Sequence, residues 1–432
     1  MRSDAPHIHW VSPLPPAETD IAHYTHRILP ELTERADITL WTDASSWDPK
    51  LTEHCAVRSL DPNQISPGEM RAITKGSANG DAIFVHMGNS STFHAGFLQL
   101  VRRIPTIVVL HDLALQEMYL QAISKGVISL DEYLSEIEQW YGATGREEAR
   151  LSWEGRLSAY ALNERLPGFE VLMKNAVAIV THTAAAHTAV TKRSFVPAYQ
   201  LELPYKARPT ASSKRSTRGP LRLMQFGYIG PNRRLESILE TLAELGPGVD
   251  FIFDICGKLW EPDRIKQRCE QLGLTGKVNF HGFVPEPELD AMLARAHLVF
   301  NLRNPTMGEA SGSQLRIWDA AAASVVTDDG WYHDVPDETV FRIPKENESS
   351  SIKALLQLIE QDRSAAMSKG EYGRQHLITK HDPETYADGI VQIAQNFGRD
   401  AHDAVLANAA RRFIGGNHPQ ADLLRTRLAS LF

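Results

Sequence analysis

Short apolar runs recur along the chain with helical patterns between them, and this alternation restricts the fold more than any other feature. In the first half IHWVS (8–12), DITLW (37–41), AIFVH (82–86), TIVVLH (106–111) and AVAIVTH (176–182) each read as a buried strand. Near-continuous apolar runs of this length suit a parallel sheet covered on both faces. Helical stretches such as 19–34 and 93–102 lie between them, which is the order of a doubly wound α/β layer. LELPY (201–205) closes the series, and RPTASSKRSTRGP (208–220) follows, too polar to bury much surface. The pattern then restarts with LRLMQFGYIG (221–230), DFIFDICG (250–257), KVNFHGF (277–283), AHLVFNL (296–302), ASVVTD (323–328) and TVFRIP (339–344).

Two tandem α/β layers are therefore expected, and 432 residues give room for two cores. We divide the chain into a first domain over 1–207, a linker at 208–220, a second domain over 221–382, and C-terminal helices over 383–432 that partly cross back to the first domain. Residues 113–175 hold LDEYLSEIEQWYG and REEARLSWEGRLSAYALNERL, both with helical spacing and no strand between them. They form a helical insertion, which serves either as a cover for a cleft or as plain packing.

Composition excludes several classes. Asp plus Glu (53) outnumber Lys plus Arg (45), for a net charge of -8, which argues against a nucleic-acid-coating protein. Cys55, Cys256 and Cys269 form no CxxC pair and no disulfide framework, so neither a structural zinc site nor an oxidising compartment is expected. No apolar run is long enough to cross a membrane, and MRSDAPHIHWVS lacks the apolar core of a signal peptide. A cytoplasmic protein is expected. Peripheral membrane contact stays open, as does the oligomeric state.

The richest motif is NLRNPTMGEASGSQLRIWDAAAASVVTDDGW (301–331), strand, loop, helix, strand. Small polar residues before a helix leave unpaired backbone N–H groups and a positive dipole end facing an incoming anion. Ser311 and Ser313 add hydroxyls, Gly312 lets the anion approach, and Glu309 stands at the strand end where open α/β sheets bind ligands. A simple Ser311 helix cap accounts for part of this pattern. In FGYIGPNRR (226–234), Gly227 and Gly230 permit a tight loop and Arg233 suits a phosphate; Arg234 reads as a solvated helix start. VLHDL (109–113) offers His111 and Asp112 at a strand end, for a sugar, a phosphate or a proton, or for structure alone. THTAAAHTAV (181–190) offers His182 at the next. In SPLPPAETDIAHYTHRILPEL (12–32), Asp20 and His23 lie at a helix start and suit polar contact with a second substrate, unless Asp20 is only a cap.

SPLPP, VLHDL, FGYIGPNRR, HGFVPEPEL and PTMGEASGS together resemble the retaining glycosyltransferases of family 4, over about residues 8–395 and most strongly over 221–345. The resemblance implies the GT-B fold: α/β, two Rossmann-like doubly wound domains facing a cleft, here with the helical insertion in the first. It implies transfer of a sugar from a nucleotide diphosphate sugar with retention, without metal or other cofactor. The acceptor would be a glycan or glycolipid in surface polysaccharide biosynthesis. Position by position, Glu309 matches the first Glu of a Glu-x7-Glu motif that contacts the donor sugar, and Ser311–Ser313 matches the diphosphate loop. Arg233 matches a phosphate-binding Lys, Phe283 and Val284 flank the base, and His111 matches a His near the donor sugar. The sequence also departs from the pattern. Ile317 replaces the second Glu, Asp319 comes two residues late, and Tyr228 stands where the family has Arg, so Arg303 or Arg316 would have to supply the lost charge. These departures also fit a catalytically silent binding or assembly subunit. A sugar-nucleotide epimerase shares the fold.

Overall fold

The structure is a computed structural model that describes residues 5–61, 81–194, 196–209, 215–246 and 248–414. The chain divides into two compact units. The first comprises Met1–Pro204, Met307–Ala310 and Pro383–Phe432; the second comprises Tyr205–Thr306 and Ser311–Asp382.

The first unit runs β1 (His7–Val11), α1 (Asp20–Thr33), β2 (Asp37–Thr42), β3 (Ala56–Ser59), β4 (Ala82–Met87), α2 (Ser91–Arg103) and β5 (Thr106–Leu110). After β5 come α3 (Gln116–Ser124), α4 (Leu130–Trp153) and α5 (Ala159–Arg165), then β6 (Ala176–Thr181), α6 (Ala184–Arg193) and β7 (Ala198–Gln200). Its strands pair in the order β3-β2-β1-β4-β5-β6-β7, and every pairing is parallel. β4, β5 and β6 are buried along their whole length, as their unbroken apolar runs require. The two strands that have no apolar run, β3 and β7, are the sheet's edges, and neither holds a buried residue.

The second unit runs β8 (Leu221–Phe226), α7 (Leu235–Ala243), β9 (Phe251–Cys256), α8 (Pro262–Gln271), β10 (Val278–Gly282), α9 (Glu286–Leu293) and β11 (Leu298–Phe300). It continues with α10 (Gly312–Asp319), β12 (Ser324–Thr327), α11 (Trp331–Asp334), β13 (Phe341–Ile343), α12 (Glu348–Gln361) and α13 (Ser364–Lys380). The parallel order is β10-β9-β8-β11-β12-β13. Alternate residues serve opposite faces: Leu221, Leu223, Leu298 and Phe300 enter one core, while Met224, Phe226 and Val299 enter another. In each sheet the strand order reverses once, between β1 and β4 and between β8 and β11, and open α/β sheets bind ligands beyond the carboxyl ends at that place.

The last helix among the described residues, α14 (Pro383–Ile414), packs on α1 and β6 of the first unit. Tyr386 on it joins its hydroxyl to that of Tyr24, and Asp400 accepts a hydrogen bond from the Tyr199 hydroxyl at 2.7 Å. Of the polar stretch 208–220, residues 210–214 lie outside the described residues, as do 62–80 and 415–432. Two of its arginines are tied to the rest of the second unit. Arg215 caps α9 and α10, donating to the carbonyls of Leu293 (3.3 Å) and Ala320 (2.9 Å), and Arg208 pairs with Asp319 at 2.5 Å.

Candidate functional site

In the second unit the loops beyond β8, β9 and β10 are laced together. Gly227 N donates to Cys256 O at 2.9 Å, Ile229 N to Lys258 O at 2.9 Å, and Gly257 N to Gly282 O at 2.6 Å. The approach is so close that a Cβ on Gly257 would lie 2.0 Å from Gly227 O, and Gly257 also holds φ +125°. Only glycine fits there. Arg233 follows on the same loop, 5% exposed. Its Nη2 donates to Phe226 O at 3.0 Å, while its Nε is buried with no partner. Among the described residues no carboxylate pairs with it. A Cβ built on Gly227 would stand 3.9 Å from both Arg233 Nη2 and Ser313 Oγ, so the glycine, the guanidinium and the first turn of α10 converge.

Ser311 is the N-cap of α10. Its Oγ accepts from Gln314 N at 3.2 Å and from Asn301 Nδ2 at 3.3 Å, so its hydroxyl is engaged by the fold. Gly312 and Ser313 are partly exposed on the first turn. Arg303 is held through its backbone N–H to Thr327 Oγ1 and reaches Asn301 Oδ1 at 3.4 Å. Tyr228 is 57% and Phe283 82% exposed, whereas Val284 packs into the core.

Two charged residues picked out from sequence are already paired within this unit. Arg316 binds Asp290 at 2.8 Å and Glu286 at 3.1 Å. Asp319, 2% exposed, is gripped by Arg208 and Arg374, and the Arg374 contact is 2.9 Å. Ile317 is fully buried, so the position eight residues after Glu309 is used for packing.

The other sequence-derived residues belong to the first unit. Glu309 lies in the segment Met307–Ala310, accepts from Met307 N at 2.8 Å, and is partly exposed. This segment is tied to the loop after β5, where Leu113 N and Ala114 N donate to Met307 O at 2.8 and 3.0 Å. Asp112 Oδ2 accepts from Asn89 N at 2.7 Å. His111 and His182 approach to 4.9 Å between ring centroids, and burial holds both neutral, lowering His182 to about 4; at His111 the neighbouring imidazoles add to the effect. At the start of α1 the cap is Thr19, with Asp20 and His23 exposed beyond it.

Sequence reasoning overlooked His86 and His94. His86 Nδ1 lies 2.8 Å from His111 Nε2, and His94 Nδ1 donates to His86 O at 3.0 Å. A signal was there, since FVH, VLH and VTH each close one of three consecutive apolar runs.

Among the described residues one group has the composition of a metal site: His7, His9 and Asp81, at the amino ends of β1 and β4. Its proton positions oppose that use. Trp41 Nε1 donates to His9 Nδ1 at 3.1 Å, so neutral His9 carries its proton on Nε2, the atom that would have to ligate. No helix among the described residues is long and apolar enough to cross a membrane.

Residues 211–376 match the family model of glycosyl transferases group 1. The chain carries a glycosyl transferases group 1 domain. FGYIGPNRR and PTMGEASGS both fall inside the match, which bears out the resemblance read from them. The fold of the chain that carries the group 1 domain is GT-B. It is similar to Anabaena Alr3699/HepE, solved in complex with UDP, at a TM-score of 0.57 and 15% identity, over 90% of this chain and 99% of that one. Sucrose-phosphate synthase from Thermosynechococcus elongatus gives a TM-score of 0.60 at 13% identity, over 91% and 99%. WaaG, a glycosyltransferase involved in lipopolysaccharide biosynthesis, gives 0.55 at 14%, over 90% and 99%. No curated protein matches the chain in sequence.

Proposed function

We propose that this protein is a retaining glycosyltransferase that takes its sugar from a nucleoside diphosphate sugar. The observation that carries this reading is Arg233, a buried guanidinium with an unpartnered Nε and no carboxylate beside it, next to Gly227 and the first turn of α10. A buried cation without a counter-charge is costly, and the counter-charge that suits this setting is the diphosphate of a ligand. As the glycosidic bond breaks, negative charge gathers on the departing diphosphate. Arg233 and the N–H groups of Gly312 and Ser313 meet that charge without reorganising, so the chemistry proceeds without a divalent ion. Phe283 and the Val284 backbone flank the base, and Glu309 and His111 accept from and donate to the donor sugar. Asp112, His182, Asp20 and His23 serve the acceptor side. Arg316 and Asp319 are left out, because their charges are neutralised within the fold.

The acceptor is a glycan or glycolipid of surface polysaccharide biosynthesis, a reading supported by the family resemblance and by the similarity of fold to WaaG. The test is calorimetry with UDP and other nucleoside diphosphates, followed by a hydrolysis and transfer screen over nucleotide sugars with and without EDTA. Binding in the wild type that is weakened at least about tenfold in Arg233→Met, with turnover that survives chelation and an α-product from an α-donor, supports the proposal. Turnover abolished by EDTA and restored by one divalent ion overturns the metal-free mechanism. Interconversion of the donor sugar without an acceptor would make the protein an epimerase, and absence of binding to every donor would make it a silent subunit.

A further inference from the structure

His86, His111 and His182 sit at the carboxyl ends of β4, β5 and β6, so three adjacent strands bring three imidazoles together. His86 and His111 stack with ring centroids 5.1 Å apart, and His86 Nδ1 is 2.8 Å from His111 Nε2. One proton lies between those nitrogens, and the surroundings decide which ring carries it.

His86 is fully buried, and its other nitrogen, Nε2, has no partner. The rings of Trp10 and Tyr24 lie against it, with centroids at 4.4 and 5.4 Å. Neither offers it a polar atom, since Trp10 Nε1 donates to Thr25 Oγ1 and the Tyr24 hydroxyl is joined to that of Tyr386. If His111 donated to His86, neutral His86 would carry its own proton on Nε2, as a buried N–H with only a weak π acceptor. An orphaned buried N–H is disfavoured more than a bare lone pair. The proton therefore belongs to His86 Nδ1. Neutral His111, accepting at Nε2, then carries its proton on Nδ1, which makes no hydrogen bond among the described residues.

We infer that His86 is a positioning residue that fixes His111 as its Nδ1–H tautomer, so that His111 presents a hydrogen-bond donor and no base at the carboxyl end of β5. His94 steadies the arrangement from behind, its Nδ1–H held by the His86 carbonyl. The consequence for catalysis rests on the glycosyltransferase reading: His111 donates to a sugar oxygen and takes no proton from the acceptor. The tautomer itself does not rest on that reading.

The experiment is long-range ¹H–¹⁵N NMR of the full chain with ¹⁵N-labelled histidine at about pH 8, above the ordinary imidazole pKa of ~6.5, the His111 signals being assigned by their loss in His111→Asn. The expected spectrum has His111 Nδ1 protonated and Nε2 bare. His86→Asn keeps a donor N–H where Nδ1 stood and should preserve that pattern. His86→Phe removes the donor and should mix or reverse the tautomers, and with the best nucleotide sugar it should lower kcat/KM about tenfold, the worth of one neutral hydrogen bond, while His86→Asn recovers most of the loss. A wild-type His111 protonated on Nε2 overturns the inference without any variant. An unchanged His111 tautomer in a folded His86→Phe overturns the role of His86. Failure to turn over any nucleotide sugar leaves the NMR result standing and removes only the catalytic consequence.

Discussion

Arg233 is a costly residue for an empty site, and that cost gives it a signature of its own. Its Nε is buried without a partner, and a desolvated cation destabilises the fold that holds it. Arg233→Met should leave the melting temperature unchanged or raise it, while weakening binding of a nucleoside diphosphate about 10- to 150-fold, the range for a charge-assisted bond of ~1.5–3 kcal/mol. A matched loss of stability and affinity would mean that Arg233 is structural. Glu309 calls for the opposite control. It accepts a bond from its own Met307 N–H, which Gln would still make. Glu309→Gln should therefore melt as the wild type does, bind nucleoside diphosphate normally, and turn over donor at least tenfold more slowly; full activity would remove Glu309 from the sugar site. The buried imidazoles set the response to acid. His94 and His182 titrate near 4 because burial disfavours their charged forms. Above about pH 6.5 both folded and unfolded chains hold them neutral, and stability is flat. Between about 6.5 and 4 the unfolded chain takes up protons that the folded unit refuses, so stability falls with pH, by about 3 kcal/mol for each histidine in full. Urea midpoints at about pH 7.5 and pH 5 should show this, with a smaller difference in His94→Leu.

The elements that the sequence made plain are those whose side chains are buried on both faces. An unbroken run such as AIFVH or TIVVLH has one outcome in a layered α/β protein, and β4 and β5 lie where those runs stand. β3 and β7 escaped notice because edge strands need no apolar run: AVRS and AYQ read as ordinary surface. At the site the residue types were legible and their commitments were not. Ser311, Arg316 and Asp319 look like ligand-binding groups in the chain, yet Gln314, Asp290 and Arg374, at least 26 residues away in the last two cases, already occupy them. Burial of Arg233 could not be read from a loop that also holds the solvent-facing Tyr228. Close helix contacts were equally hidden. On α13 a Cβ at Gly370 would stand 2.0 Å from Ala321 O, and one at Gly373 2.1 Å from Trp318 Cδ1. Gly370→Ala should cost about 1–3 kcal/mol by forcing α13 away from α10. Gly398 on α14 meets nothing within 4 Å, so Gly398→Ala should stabilise by about 0.5–1 kcal/mol, the helix-interior difference between the two residues. Denaturant midpoints of the two variants should move in opposite directions.

At the scale of the whole molecule, each unit has its own sheet and its own apolar core. Calorimetric unfolding should resolve into two transitions. A nucleoside diphosphate at about 100 times its Kd should add ~2.7 kcal/mol to the transition of the second unit, and at the same concentration in Arg233→Met that shift should shrink to about 0.3–1.4 kcal/mol. A single transition raised equally in both proteins would refute the placing of the ligand at Arg233. The path of the chain carries a further consequence, for how the protein is made. α1 and β6 are packed against α14, and Tyr24 meets Tyr386, so the first unit is finished by a stretch that leaves the ribosome only after the whole of the second unit. Folding from the N-terminus cannot close this unit as it emerges. During synthesis a nascent sheet waits with one flank uncovered until the second unit has been translated, and chaperone occupancy of that flank should persist until residues beyond 383 clear the exit tunnel.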